Sequence, residues 1–202
     1  MCRRLGIFGG TFDPPHIGHL ILAAEAHQQL GLERVFFVLA ADPPHKQDRK
    51  ITPVEDRLAM LESAIEDQDK FQISRVEIDR PGPHFALDSL RQFKQDYPDA
   101  DLVYLIGGDS LRDLPTWHGP KEILELIQTL GVMRRPFTDL KLENLYAQLP
   151  QLESKLDFVD TPLLEISSRE LRRKAAQGEH FRNYLPQSVY AYIVQHQLYA
   201  AD

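Results

Sequence analysis

His16 and His19 stand three residues apart at the end of the run Gly9-Gly10-Thr11-Phe12-Asp13-Pro14-Pro15-His16-Ile17-Gly18-His19. Histidines at that spacing share one face of a helix, so both imidazoles can meet a single ligand. Such a pair serves either metal coordination or donation to the oxygens of an anion whose charge grows in a transition state. No Cys or third His recurs at ligand spacing, which leaves a structural metal the weaker reading. The run also lacks a nucleophile with an attached base. Phosphate chemistry, in which positioning and charge neutralisation suffice, is the better match.

The elements around the pair must aim it. Leu5 to Phe8 is a short apolar run that reads as a buried strand, and Ile17, Leu20, Ile21, Ala24 and Leu30 keep helical spacing. The motif therefore sits at a strand-to-helix junction, where the first helical N–H groups lack partners and the peptide dipoles favour an anion. Gly9 and Gly10 allow backbone to approach a phosphate closely. Asp13 is expected as the helix N-cap, with Pro14 and Pro15 in the first turn.

Further strands are expected over 35–40, 71–78, 101–106, 130–133 and 156–159, alternating with helices. Thr52-Pro53-Val54-Glu55 reads as a capping box that opens a helix with Val54, Leu58, Leu61 and Ile65 buried, and Arg57 is read as structural. This alternation predicts an α/β protein with a doubly wound, mostly parallel sheet, and ligands beyond the carboxyl ends of its strands. Four clusters fall at such ends: 9–19, His45-Lys46, Gly107-Gly108-Asp109-Ser110, and the serine-capped helix start Ile166-Ser167-Ser168-Arg169-Glu170-Leu171-Arg172. Arg169 and Arg172 at a helix start oppose the dipole, a cost that a bound phosphate would reverse. Asp109 can accept from ribose hydroxyls or from a water on Mg²⁺. The rigid loop Arg80-Pro81-Gly82-Pro83-His84-Phe85-Ala86 and the lone Trp117, with His118, offer a surface the size of one aromatic ring.

The chain has 202 residues, enough for one sizeable core, and a single domain is expected over 1–202 with a helical part from about 166 packed on it. A formal net charge of −7 provides no basic field for nucleic acid. Cys2 is the only cysteine, which excludes an intrachain disulfide and fits a reducing cytoplasm. Arg3 and Arg4 precede only a brief apolar run that Gly9-Gly10 ends, so neither a signal peptide nor a membrane span is expected.

The string GGTFDPPHIGH resembles the signature of the nucleotidyltransferases that carry a His-x-Gly-His motif. PPHK, the loop from Arg80 to Asp88, IGGDSL, Trp117, Arg135-Pro136, ISSRELR and YLPQSVYAYI extend the resemblance, in order, to bacterial nicotinate-nucleotide adenylyltransferases over nearly the whole chain. It implies a Rossmann-like nucleotidyltransferase fold and AMP transfer from ATP to nicotinate mononucleotide, with Mg²⁺ carried on the ATP phosphates and no dedicated protein metal site. His16, His19 and Arg172 would act on those phosphates. Gly9, Gly10, Thr11, Phe12, Gly107, Asp109, Arg135, Ile166, Ser167 and Ser168 would complete the ATP site, and His45, Lys46, His84, Phe85, Ala86, Trp117 and His118 would hold the acceptor.

Family members usually carry Ser-Tyr-Thr where this chain has His84-Phe85-Ala86, and Thr where Arg169 stands. Nicotinate recognition would then fall to backbone N–H groups and ring contacts, and with no acid expected near Trp117 the acid is preferred over the amide. Transfer to nicotinamide mononucleotide or phosphopantetheine, and a non-catalytic nucleotide-sensing module, stay open as alternatives.

Overall fold

The computed structural model describes residues 3–42, 51–133, 141–162 and 164–200. Six strands, β1 (Arg3–Gly10), β2 (Arg34–Leu39), β3 (Phe71–Ser74), β4 (Ala100–Gly107), β5 (Thr129–Met133) and β6 (Leu156–Val159), form one sheet. Every pairing is parallel, in the order β3-β2-β1-β4-β5-β6. The order reverses between β1 and β4, the place where a doubly wound sheet opens a crevice for ligands. Phe8 pairs with Leu105, which brings the glycines at the carboxyl ends of the two strands, Gly9 and Gly10 of β1 and Gly107 of β4, close together at the crevice.

Strand side chains alternate between faces, and the core divides accordingly. Leu5, Ile7, Leu102, Tyr104 and Ile106 pack on one side with Leu87, Leu90 and Phe93 of α3 (Ala86–Asp96). Phe8, Val103 and Leu105 pack on the other with Leu22, Ala23 and Ala26 of α1 (Ile17–Gln29), Met60 and Leu61 of α2 (Val54–Ile65), Leu171 of α7 (Ser168–Ala176), and Val189 and Ile193 of α8 (Gln187–Gln195). Each fully buried aliphatic side chain contributes roughly 1.5–3 kcal/mol. The shorter helices are α4 (Gly108–Asp113), α5 (Pro120–Leu126) and α6 (Leu142–Gln148).

Several local expectations are corrected. Helix α1 begins at Ile17 with His16 as its N-cap, so Asp13, Pro14 and Pro15 belong to the preceding loop rather than to a helical turn. Its buried stripe is Leu22, Ala23, Ala26 and Leu30, while Ala24 is exposed. Small residues on that stripe bring the helix close to the sheet. The Thr52 capping box does not form: Pro53 is the N-cap without a side-chain bond, and the Thr52 carbonyl accepts from Arg57 Nε. Strand β3 stops at Ser74 instead of continuing to residue 78. Helix α5, opened by Pro120 after the left-handed Gly119, has no counterpart in the expected elements.

Candidate active site

At the carboxyl end of β1 the chain turns sharply. Gly10 leaves room for the Phe12 ring: a Cβ there would lie 2.7 Å from Phe12 Cζ. Phe12 has φ 46° and its ring is buried against Phe8, Phe37 and His19, with centroids 5.0–5.6 Å apart. It props the loop from below. The Phe12 ring is thus committed to the core, which leaves its backbone as the part available to the expected ATP site.

Asp13 also turns inward. It is 4% exposed, and its carboxylate accepts from the Tyr199 hydroxyl at 2.7 Å and lies 3.7 Å from the Arg172 guanidinium. Arg172 also donates to the Asp13 carbonyl, and Ser168 Oγ donates to the Pro14 carbonyl at 2.9 Å. Ser167 caps α7 by accepting from the Glu170 N–H at 3.3 Å, as expected. The start of α7 is therefore fastened to the histidine loop, and Asp13 gives Arg172 a partner that offsets its unfavourable place near the helix start. Arg57 braces the same loop from beneath. Only 2% exposed, its guanidinium donates to the carbonyls of Thr11 (3.0 Å), Ala40 (2.7 Å), Ala41 (3.0 Å) and Thr52 (2.8 Å). Burial lowers its pKa and the nearby Asp13 carboxylate opposes that shift.

The histidines meet as a stacked pair, ring centroids 3.6 Å apart and planes 20° from parallel. The His16 N–H donates to His19 Nδ1 at 3.1 Å. That bond makes Nδ1 an acceptor, so the neutral His19 ring carries its proton on Nε2. Gly18 makes the stack possible, since a Cβ there would stand 3.1 Å from His16 Nδ1 and 3.2 Å from Cε1. The first turn of α1 contains no acidic residue, which keeps this helix start suited to an anion.

Beside the glycines lies a cavity of ≈ 230 Å³. Gly9, Gly10 and Thr11 form one wall, and His84, Phe85, Ala86, Trp117 and His118 face them, so the ring-sized surface and the glycine turn share one space. Trp117 stands edge-on to Tyr104 at 6.2 Å, and His118 stacks on Phe85 at 4.4 Å. Glu77, Tyr104 and Ser110 also line it. Glu77 corrects the expectation of no acid near Trp117: its buried carboxylate accepts from Ser89 Oγ at 2.8 Å. Burial, helped by Glu77, pushes the Tyr104 hydroxyl well above the usual tyrosine range. Neither residue stands out in the sequence, because Tyr104 sits inside an apolar strand run and Glu77 just beyond β3.

Gly107 caps α4 with open space at its Cβ position, and Asp109 is exposed, 3.8 Å from Arg112. Ile166 is half-buried against the α1 side of the core. His45, Lys46 and Arg135 lie outside the described residues.

Residues 7–174 match the cytidylyltransferase-like family model. A protein of Thermomicrobium roseum named "Probable nicotinate-nucleotide adenylyltransferase" is 47% identical over 97% of this chain and 91% of its own length. The chain belongs to the nicotinate-nucleotide adenylyltransferase family. A Bacillus cereus family member is 39% identical over 98% of both chains. Among solved structures, the Plasmodium falciparum nicotinic acid mononucleotide adenylyltransferase complexed with NaAD superposes with a TM-score of 0.80. At 19% identity over 98% of this chain and 97% of that one, it establishes the shared fold. Family membership makes this chain a nucleotidyltransferase enzyme. Among the described residues, no helix is long and apolar enough to cross a membrane.

Proposed function

We propose that the protein transfers AMP from ATP to nicotinate mononucleotide, forming deamido-NAD and pyrophosphate, a step of NAD biosynthesis. One observation carries the reading: the loop that ends in the stacked histidines at the start of α1 begins with Gly9, Gly10 and Thr11, which line a ring-sized cavity. An anion-binding helix start and an aromatic-walled pocket are the two features that joining a triphosphate to a pyridine nucleotide requires.

An oxygen of the mononucleotide phosphate attacks the α-phosphorus of ATP, a new P–O bond forms, and pyrophosphate leaves with the electron pair of the bond broken. The attacking phosphate is already a competent nucleophile, so no side-chain base is needed. His19 Nε2–H donates to phosphate oxygens as their charge grows, and His16 holds the His19 ring in place through its N–H. Arg172, tied to Asp13 at the loop, adds a cation at the same end. Gly107 and the α4 start admit the adenosine, with Ser167, Ser168 and Ile166 along its other side. Trp117 and the 84–86 loop receive the pyridine ring. Holding two nucleotides in line contributes on the order of 7–11 kcal/mol.

Mg²⁺ belongs to this reading as a companion of the triphosphate, where it offsets phosphate charge. The described residues gather no group of three or more His, Cys, Asp or Glu side chains able to hold a metal. The exposed Asp109 carboxylate at the head of α4 suits a partner for metal-bound water.

The test is pyrophosphate release with ATP and Mg²⁺ against three acceptors: nicotinate mononucleotide, nicotinamide mononucleotide and phosphopantetheine. Release is expected to be fastest with the first. Release with phosphopantetheine alone would replace the acceptor, and ATP binding without release for any acceptor would make the chain a nucleotide-sensing module.

A further inference from the structure

We propose that Asp13 is a positioning residue for ATP: it grips Arg172 by one guanidinium nitrogen and thereby aims the remaining edge of that group at the triphosphate. The proposal rests on the placement of ATP at Arg172 in the reading above, and it holds for any acceptor.

The way Arg172 is held carries the inference. Its Nη1 donates to the Asp13 carbonyl and stands 3.7 Å from Asp13 Oδ2, so one nitrogen makes both contacts and one residue receives them. Nε and Nη2 make no hydrogen bond among the described residues. Neither is a sealed atom, since the Arg172 side chain is 29% exposed. A guanidinium is a rigid planar fork, so pinning Nη1 fixes the direction of the edge formed by Nε and Nη2. That edge can donate two parallel bonds to one phosphate.

Asp13 is itself fixed from two other parts of the chain. Its side chain is buried, Oδ1 accepts from the Tyr199 hydroxyl at 2.7 Å, and Oδ2 accepts from the Thr52 N–H at 3.5 Å. Ser168 Oγ, donating to the Pro14 carbonyl, fastens α7 to the same loop, which keeps the guanidinium in register with the histidines. On charge alone the carboxylate is a liability, because it opposes a bound triphosphate and weakens the attraction of Arg172. Its benefit lies in the direction it imposes, and the two effects have opposite signs in a binding measurement.

The experiment measures the dissociation constant of ATP with Mg²⁺ by titration calorimetry, without acceptor, in the full chain and in Asp13→Asn, Arg172→Leu, the two combined, and Arg172→Lys. Loss of charge alone would tighten binding in Asp13→Asn. Loss of positioning is expected to weaken it by about fivefold or more, and the effect should shrink to within about twofold once residue 172 is Leu. Binding by Asp13→Asn that is tighter than wild type, or within about twofold of it, overturns the proposal. An equal loss in both backgrounds at residue 172, the outcome of a merely structural role, also overturns it. Arg172→Lys alters a partly exposed side chain and keeps the charge without the fork, so it decides the matter if Asp13→Asn does not fold. Its binding should weaken about fivefold or more, and a value within about twofold of wild type overturns the proposal. Wild-type protein that fails to bind ATP overturns this reading and its parent together, whereas ATP binding without pyrophosphate release for any acceptor overturns the transfer reading alone.

Discussion

The Tyr199 hydroxyl donates to Asp13 Oδ1 at 2.7 Å, fastening the C-terminal end of the described chain to the loop that carries the histidines. Tyr199 adopts φ 63° and Gln197 φ 53°, left-handed backbone in which a bulky side chain is strained. The contact offsets that strain by satisfying a carboxylate that is nearly cut off from solvent. Because Asp13 also faces Arg172, the histidine loop, α7 and the last described residues are tied together at Asp13. Removing the hydroxyl in Tyr199→Phe leaves Asp13 short of a donor and should cost about 1–3 kcal/mol in urea unfolding. KM for ATP should rise while KM for the acceptor stays near wild type; equal rises in both would place the contact outside ATP positioning.

The same tyrosine predicts a pH dependence. Burial and the Asp13 carboxylate push the Tyr199 hydroxyl far above its ordinary value, as burial does for Tyr104. Both are protonated in the fold, whereas unfolded tyrosines ionise near pH 10. Their stabilising effect is complete below that pH and is lost as pH rises above it, because the unfolded chain then releases protons that the native state retains. The urea midpoint should fall from about pH 10 upward, and Tyr199→Phe should shallow that fall.

His19 is expected to matter in the transition state. Truncation in His19→Ala should lower turnover by about 10²–10³-fold, as loss of one preorganised donor does elsewhere. His19→Asn, with an oxygen to accept from the His16 N–H, should hold the helix start yet stay impaired. Turnover of His19→Ala within threefold of wild type, measured by pyrophosphate release, would remove His19 from the chemistry.

Gly18→Ala tests the stack without touching a functional group. The new methyl would press on the His16 ring at 3.1–3.2 Å, closer than most real contacts allow. Since His16 is almost fully buried, its ring has little room to yield. Turnover should drop by roughly tenfold or more, from misplacement of the pair, with far-UV circular dichroism unchanged.

Arg57 is the brace. Arg57→Leu removes donors from four carbonyls at once and should destabilise the protein by roughly 3–5 kcal/mol. In a chain of this size that lowers Tm by about 6–20 °C. A shift below about 2 °C would mean that water replaces the guanidinium under the loop.

Most of the strands and helices, and the crevice they imply, were legible in the sequence because each follows from local periodicity. Continuous apolar runs mark strands covered on both faces, glycines mark the turns after them, and Ser167 marks the start of α7. Helix boundaries near proline were less legible. Whether Asp13 caps a helix or turns inward depends on Tyr199 and Arg172, residues more than 150 positions away, and no local pattern encodes them. Helix α5 carries no clear sequence signal because its seven residues give too few repeats of a helical period.

By itself, then, the sequence pointed to the chemistry: paired histidines after a glycine turn at a strand-to-helix junction fit an anion-binding helix start, and the order of later motifs matches the family. Tertiary structure decided how the site is held and what else lines it. It stacked His16 on His19 over Gly18, buried Arg57 beneath the loop, and brought Glu77, Tyr104 and His84 to one cavity. Spacing along the chain fixes which residues share an element. Which elements share a cavity is settled only when the parallel sheet sets β1 beside β4 and the loops beyond them meet.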